Sequence, residues 1–421
     1  PGNAEALNGF GLVLEKMDQV PDAVSAYEDA TLANPNFRPA FNNLALLFLR
    51  MGQTHDAELT LDAARKHTSM NTSHDPETLQ ATAALRQAHG RIAEAIDAAE
   101  AATQLSPNDA GGHAALGFYQ HHVGRLQDAE GSFQRALSLD PTLADVRFNL
   151  AIVLQRQGRL QDAEALLNEL LQRSPNNPEI FRFLGVLRRA EGDLSGAARA
   201  LEKALALAPD NALAIGALAA VHQDQGDQDD AIELYTQAIK TAPASASVHS
   251  NFLMSLNYRS DNPDELFNAH RRWAAQLGSA IESPANSSGK PKFRSEKAPL
   301  KLGYVSGDFR RHSVAYFFEP VLEHHDRTQF EIFCYASLDN PDDVTIRMEK
   351  SADHWRYVSG LTDDQLAARI EQDQIDILVD LSGHPANNRL AAFARKPAPV
   401  LVNWLGYPNT TGLSAIQCRL T

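Results

Sequence analysis

The sequence is poor in cysteine, in long apolar runs and in excess positive charge. Its two cysteines, Cys334 and Cys418, stand far apart without partners at metal-ligand spacing, which argues against a disulfide framework or a cysteine-based metal site. No apolar run approaches the ~20 residues that a membrane-spanning helix needs. The formal net charge of −15 argues against nonspecific nucleic-acid binding, which requires a basic face. We therefore expect a cytoplasmic protein that binds neither membrane nor nucleic acid.

An internal repeat dominates the first part of the 421 residues. Prolines recur every 34 residues from Pro107 to Pro243, glycines from Gly90 to Gly226, and alanines from Ala95 to Ala231. A period of 34 residues is the signature of tetratricopeptide repeats, each made of two antiparallel helices. In such a repeat the glycine ends the first helix and the small alanine lets the second helix pack closely against it. The pattern predicts an all-α solenoid over residues 1–257.

A tetratricopeptide array has a concave inner face that suits an extended peptide. The position that would face this groove holds Asn43, Asn149 and Asn251. Asparagine carries both hydrogen-bond donors and an acceptor, so these residues are candidates for holding a peptide backbone. The alternative is that they are ordinary exposed helix residues.

The pattern changes after the repeats. Residues 258–299 predict a helix that begins at Pro263, followed by a linker over 283–299 rich in Ser, Pro, Gly and Lys. From residue 300 onward, short apolar runs alternate with helical stretches, which predicts a parallel, doubly wound α/β sheet over 300–421. The predicted strands are 301–306, 330–336, 375–381 and 400–404, with a weaker one at 354–358. The predicted helices are 314–325, 342–352, 362–373 and 389–394.

In a doubly wound sheet, ligands bind at the carboxyl ends of the strands. This rule selects the loops 307–313, 382–388 and 406–412. Residues 300–421 contain no G-x-G-x-x-G motif and no P-loop motif, so a dinucleotide site and a P-loop phosphate site lack support. They also contain no G-x-S-x-G motif, which a serine hydrolase would carry. An Asp-x-Asp pair that could hold a metal ion on a diphosphate is absent as well. Two features of the rim could take part in chemistry. A histidine follows the first strand and could move or orient a proton. A Gly/Asn/Thr-rich loop follows the last predicted strand and could bind an anionic leaving group.

Three segments of this part of the chain stand out: LKLGYVSGDFRRHSVAYFFEPVLEHHD, DILVDLSGHPANNRLAAFARKPAPV and NWLGYPNTTGL. Together they resemble the amino-terminal catalytic lobe of the O-GlcNAc transferase and SPINDLY family. The resemblance implies two Rossmann-like lobes, of which residues 300–421 would be the first. It also implies inverting transfer of a sugar, without a metal or other cofactor, from a nucleotide sugar to Ser or Thr of intracellular acceptor proteins. Both UDP-GlcNAc and GDP-fucose stay open as donors, because Ser313 fits the SPINDLY type and His354 the O-GlcNAc transferase type.

The same resemblance assigns candidate site residues. His312 matches a histidine proposed in the family as the base or as an active-site organiser, with a helix cap as the alternative. His354 matches a second histidine near the acceptor, with simple packing as the alternative. The candidate residues of the donor and acceptor cleft are Asp308, His384, Asn387, Asn388, Tyr407, Pro408, Asn409, Thr410, Thr411 and Gly412.

The sequence begins at Pro1 and ends inside a motif at Thr421, so we expect the donor-binding carboxyl-terminal lobe to lie beyond it. These 421 residues alone are then expected to bind peptides without turnover. A different class of function, a non-catalytic peptide-binding scaffold, remains the alternative. The enzyme is favoured because a decayed lobe has no physical reason to keep His312, Asn387, Asn388 and the last loop together.

Overall fold

The computed structural model describes residues 2–67, 75–243, 245–259, 262–280, 299–385 and 387–421. These residues form two compact units, Pro1–Val153 and Leu154–Thr421. All but the last residue of the predicted linker 283–299 lies outside the described residues. The predicted domain limits at 257/258 and 299/300 stay a prediction.

The first unit consists of paired helices, as the 34-residue period predicts. Its helices are α1 (Ala4–Lys16), α2 (Val20–Ala33), α3 (Arg38–Arg50), α4 (Thr54–His67), α5 (Pro76–Ala88), α6 (Ile92–Leu105), α7 (Ala110–His122), α8 (Leu126–Leu139) and most of α9 (Ala144–Arg156).

The second unit opens with further helices, the last of which lies beyond the predicted repeats. They are α10 (Leu160–Arg173), α11 (Pro178–Glu191), α12 (Leu194–Leu207), α13 (Ala212–Gln225), α14 (Gln228–Thr241), α15 (Ala246–Arg259) and α16 (Pro263–Ala280). No helix in the described part of the chain is both long and apolar enough to cross a membrane.

The recurring residues occupy the positions that the repeat requires. The five glycines from Gly90 to Gly226 have φ between 71° and 93°, the left-handed conformation that only glycine adopts without strain. The alanines from Ala95 to Ala231 are completely buried. Large side chains on the second helix of each repeat fill the remaining space: Phe133, Leu167, Leu201 and Tyr235 are also fully buried. The repeats are therefore held together by interlocking small and large residues.

The lobe is a six-stranded parallel sheet in the order β3-β2-β1-β4-β5-β6. The strands are β1 (Leu300–Ser306), β2 (Phe330–Ala336), β3 (His354–Tyr357), β4 (Ile377–Asp380), β5 (Val400–Asn403) and β6 (Cys418–Arg419). The helices between them are α17 (Ser313–Glu323), α18 (Asp343–Ser351), α19 (Asp363–Asp373) and α20 (Leu390–Ala394). The five predicted strands and four predicted helices are confirmed, and the two-residue β6 was not predicted.

Each face of the sheet has its own apolar core. On one face, Phe318 of α17 and Met348 of α18 pack against β1 and β2. On the other face, Leu256 of α15 and Trp273 of α16 pack with α19 and α20. Helix α16, predicted as part of a linker, is therefore a core element of the lobe, because Trp273 is only 3% exposed and anchors it to the sheet.

Candidate functional site

The connections of the sheet reverse direction between β1 and β4. The chain runs from β1 outward to β2 and β3, then returns to place β4 on the other side of β1. Such a switch point opens a crevice at the carboxyl ends of the two strands, where doubly wound proteins bind ligands. The loops that follow β1 and β4 meet here, and the backbone N–H of Gly307 lies 3.4 Å from Ser382 Oγ.

Asp308 and His312 occupy the loop after β1. Asp308 is buried, and its backbone N–H donates to Ser306 Oγ at 2.9 Å. His312 is the N-cap of α17, where its Nδ1 accepts a hydrogen bond from the backbone N–H of Val314 at 3.3 Å. The same Nδ1 lies 3.8 Å from Asp308 Oδ2. The imidazole is 39% exposed, so the histidine caps a helix and still reaches solvent at the rim.

Asp380, at the end of β4, was missed by the sequence analysis. It is buried, and it accepts hydrogen bonds from the backbone N–H groups of Ser382 and Gly383 and from Asn403 Nδ2, at 2.9 to 3.1 Å. Burial raises its pKa to about 6, against the hydrogen bonds, which lower it. The carboxyl therefore shapes the loop after β4. A lone acid that ends the apolar run ILVD is the signal that could have identified it.

His384 links this loop to the repeats and to the last loop. Its Nε2 donates to the backbone oxygen of Thr411 at 3.1 Å, so its Nδ1 accepts from the hydroxyl of Ser250 in α15 at 3.2 Å. The ring also packs edge-on against Trp273, with centroids 4.6 Å apart. Burial and the nearby His270 lower the pKa of His384 to about 3, so the ring is neutral at physiological pH.

The residues 407–412, which we call the 407–412 loop, lie against α15 and α16. The Tyr407 hydroxyl contacts Asn257 Nδ2 at 2.6 Å and His270 Nε2 at 2.7 Å. Asn409 Nδ2 donates to Asn257 Oδ1 at 3.1 Å. Within the loop, Thr410 Oγ1 accepts from the backbone N–H of Gly412, and Thr411 Oγ1 from that of Leu413.

Exposure varies along this loop. Tyr407, Thr411 and Gly412 are buried, Asn409 and Thr410 are half-buried, and Pro408 is exposed. The Tyr407 and Thr411 side chains therefore hold the loop from within, and the residues from Pro408 to Thr410 are the ones that reach its surface.

A cavity of about 380 Å³ joins the last repeat to the loop after β4. It brings together the predicted groove residue Asn251 and three predicted cleft residues, His384, Asn387 and Asn388. Asn388 is fixed by donating to the backbone oxygens of His384 and Pro385. The remaining lining residues are Ala246, Ser247, Ser250, Trp273, Asp363, Pro385 and Ala391.

Asp363 is the only acidic residue among those that line this cavity. Its carboxylate lies 3.1 Å from Arg389 Nε. Burial raises the pKa of Asp363, although Arg389 opposes this. The cavity is therefore polar around its loop side and apolar at Trp273 and the alanines.

Other predicted residues lie elsewhere. His354 is at the start of β3, opposite Phe333, three residues before the carboxyl end of the strand and so about 10 Å from the rim. Its ring stacks on Phe333 with centroids 4.1 Å apart, and its Nε2 lies 2.8 Å from Glu331 Oε1. The ring therefore contacts Phe333 and Glu331 away from the rim, and a role of His354 near the acceptor stays a prediction.

The two other groove candidates belong to the first unit. Asn43 is half-buried and donates to Asn8 Oδ1 at 2.9 Å, and Asn149 is half-buried in α9. Their role in peptide binding stays a prediction. Within the described residues, no group of three or more His, Cys, Asp or Glu is placed to hold a metal ion.

Comparisons with known proteins match both parts of the chain. Residues 246–421 match glycosyl transferase family 41, and residues 78–144, 120–187 and 188–250 match tetratricopeptide repeats. The chain is 40% identical over 182 residues to "Probable UDP-N-acetylglucosamine--peptide N-acetylglucosaminyltransferase SPINDLY" of Hordeum vulgare, covering 42% of this chain and 19% of the relative. It is 34% identical over 124 residues to the "UDP-N-acetylglucosamine--peptide N-acetylglucosaminyltransferase" of Caenorhabditis elegans, covering 29% and 11%.

A solved structure is also similar. The fold matches a Thermobaculum terrenum O-GlcNAc transferase mutant with a TM-score of 0.60 and 35% identity, covering 66% of this chain and 54% of that one. The chain spans about a fifth of the length of the first-named curated relative.

Proposed function

We propose that the protein is an O-glycosyltransferase acting on Ser or Thr of other proteins, in keeping with the match of residues 246–421 to glycosyl transferase family 41. The observation that carries this proposal is the cavity shared by Asn251 of the last repeat helix and the loop after β4. A repeat array that only displayed peptides would not need an opening onto the ligand-binding rim of a doubly wound sheet.

The cavity suits an acceptor segment passing from the repeats to the lobe. Asn251 and Asn387 are exposed at its edge, and Ser247 and Ser250 add hydroxyl groups on the α15 side. Amides and hydroxyls can bind a peptide backbone whatever its side chains are. We therefore propose that α15 delivers the acceptor to the rim that carries His312.

The geometry of His312 favours an organising role over that of a base. In the neutral ring, the Nδ1 lone pair accepts from Val314 N–H, so the proton is on Nε2. A protonated Nε2 can donate a hydrogen bond to a substrate oxygen but cannot take a proton from a hydroxyl group. We propose that His312 orients the reacting groups through this donor.

The donor is proposed to be UDP-GlcNAc, following the names of the similar proteins, with GDP-fucose as the alternative. Metal-independent transfer is supported by the lack of an Asp-x-Asp pair in residues 300–421. A cytosolic location is supported by two free cysteines, Cys334 and Cys418, which a reducing compartment tolerates.

The first experiment incubates the full-length protein with a protein extract and either UDP-GlcNAc or GDP-fucose, with and without EDTA. Mass spectrometry then follows the gain of a sugar on Ser and Thr peptides. Transfer from one donor, undiminished by EDTA, is the expected result and identifies the sugar. Peptide binding without transfer from either donor would favour the scaffold function.

His312 can be tested by a pair of substitutions. His312→Asn keeps a good N-cap, whereas His312→Ala removes it at a cost of about 1 kcal/mol. If His312 orients the reacting groups, both variants lose turnover by about 100-fold or more. Urea unfolding should separate the two, with only His312→Ala losing stability. Normal turnover in His312→Asn would show that His312 acts only as a helix cap.

A further inference from the structure

Two polar side chains, one on α15 and one on α16, reach across to the 407–412 loop. We propose that His270 and Asn257 are positioning residues that hold this loop in its working conformation through the Tyr407 hydroxyl. This inference rests on the proposed O-glycosyltransferase function. It makes α15 and α16 part of the catalytic machinery in addition to carrying the acceptor.

The hydrogen bonds at Tyr407 have a defined direction. His270 Nδ1 lies 2.6 Å from the backbone oxygen of Leu266, which can only accept, so this nitrogen carries the proton. His270 Nε2 must then accept from the Tyr407 hydroxyl at 2.7 Å. Asn257 Nδ2 donates to the Tyr407 oxygen at 2.6 Å, so the hydroxyl both donates and accepts. A phenylalanine at position 407 could satisfy neither partner.

Burial makes these bonds costly to lose. His270 is completely buried and Tyr407 is 1% exposed, so water cannot replace a missing partner without opening the packing. Burial also lowers the pKa of His270, which keeps the ring neutral and its Nε2 able to accept.

The loop is confined sterically as well. Gly412 has φ +78°, and a Cβ added there would lie 2.3 Å from the backbone oxygen of His270. On the opposite side, a Cβ added to Gly383 would lie 2.3 Å from Tyr407 Cβ. The loop therefore lies between α16 and the turn after β4, with backbone approaching as closely as glycine allows.

Asn257 also contacts the tip of the 407–412 loop. Its Oδ1 accepts from Asn409 Nδ2 at 3.1 Å, and Asn409 Oδ1 accepts from the backbone N–H of Thr410 at 2.8 Å. Asn257 also lies on the same helix as Ser250 and Asn251, which line the acceptor cavity. One rigid helix thus carries both the acceptor contacts and the anchor of the loop.

The test compares His270→Phe and His270→Gln with a matched control in the same lobe. The control is His325→Phe, because His325 Nε2 also contacts a tyrosine hydroxyl, that of Tyr304 at 2.9 Å, while its half-buried ring lies away from the 407–412 loop. Two quantities are measured in the full-length protein. They are kcat with KM for the sugar transfer, and the hydrogen-exchange rate of the backbone amides in the 407–412 loop.

His270→Phe is expected to lower kcat by about tenfold and to speed exchange in the loop by a similar factor, while leaving the KM for acceptor within about twofold. His270→Gln should recover most of both, because its amide oxygen can accept from the Tyr407 hydroxyl. His325→Phe should lower the unfolding midpoint without changing kcat or loop exchange. If His270→Phe fails to fold, Asn257→Ala removes the second anchor and should give the same pattern.

Two outcomes would overturn the inference. One is a His270→Phe or Asn257→Ala variant with normal kcat and normal loop exchange. The other is a loss of kcat in His325→Phe equal to that in His270→Phe, which would mean that both substitutions lower kcat by destabilising the protein as a whole. If the unmodified protein transfers no sugar, the proposed function fails. The anchoring is tested separately: an unchanged hydrogen-exchange rate of the loop amides in the variants would show that His270 and Asn257 do not hold the loop.

Discussion

At the scale of single residues, the lobe uses buried ionisable groups mainly to hold its loops. Asp380 binds the turn after β4, His384 joins that turn to Thr411 and Ser250, and His270 binds Tyr407. Each of these side chains has its polar atoms occupied inside the protein. His312 differs because its imidazole is 39% exposed at the rim.

The buried carboxyl of Asp380 predicts a pH dependence of stability. Its pKa is raised from 3.8 to about 6 in the folded protein, so the folded state binds the proton more tightly than the unfolded chain. The stabilisation is complete below pH ~4 and is lost as the pH rises through about 6, by up to about 3 kcal/mol. Urea unfolding at pH 4.5 and pH 7 should show that Asp380→Asn removes this part of the pH dependence.

Asp373 is the matched control because its pKa moves in the opposite direction. Although burial alone would raise it, hydrogen bonds from Arg356 and Tyr335 lower the pKa of Asp373. Its stabilisation is present above the ordinary carboxyl pKa and is lost on acidification. Asp373→Asn should therefore reduce stability about equally at pH 4.5 and at pH 7, because both lie above the ordinary carboxyl pKa. If Asp373→Asn and Asp380→Asn changed the difference in unfolding free energy between pH 4.5 and pH 7 by the same amount, the assignment of this pH dependence to Asp380 would be wrong.

At the scale of secondary structure, most of the fold could be predicted because its signals are local. The 34-residue period, the glycine helix ends and the alternation of strands and helices each depend on neighbouring residues. The strand β6 could not be predicted, because its two residues pair with β5 only after the 407–412 loop has folded back. The core role of α16 was missed for a similar reason: Trp273 has its partners on other elements.

The repeat glycines give a prediction at this scale. Gly192 ends α11 with φ +87°, and a Cβ added there would meet nothing within 4 Å. The cost of Gly192→Ala is therefore backbone strain alone, about 1 kcal/mol. Gly278 in α16 also has open space but no positive φ, so Gly278→Ala should instead stabilise the protein by about 0.5 kcal/mol. Equal effects of the two substitutions on the unfolding free energy would contradict this explanation.

At the scale of the whole molecule, the candidate site depends on contacts that no local pattern carries. The rule for parallel sheets selected the loops after β1, β4 and β5 correctly as the carboxyl-end rim. It could not show that Asn251 would share a cavity with Asn387 and Asn388, because this requires α15 to pack on the lobe. For the same reason the sequence did not identify Asn257 and His270, although their side chains lie 2.6 and 2.7 Å from the Tyr407 hydroxyl.

A long-range ion pair offers the last prediction. Arg156, at the end of α9, donates through Nε to Asp339 Oδ2 at 2.8 Å in the loop after β2, and Asn340 Nδ2 donates to the Arg156 backbone oxygen. The two side chains are 19% and 27% exposed, so the pair is partly shielded from solvent. A double-mutant cycle with Arg156→Ala and Asp339→Ala should give a coupling of about 1 kcal/mol in urea unfolding.

The pair Arg159–Asp162 provides the comparison for this cycle. It has the same chemistry, with Nε and Oδ2 also 2.8 Å apart, but it joins the N-cap residue of α10 to the first turn of that helix and is about half exposed. Because solvent screens exposed pairs, its coupling should stay below about 0.5 kcal/mol. A larger coupling for Arg156 and Asp339 would mean that they tie the repeat helix to the loop beside the rim. If the two cycles agree, the long-range pair adds no more than a surface contact, and the anchoring of the lobe must come from the packing of α15 and α16.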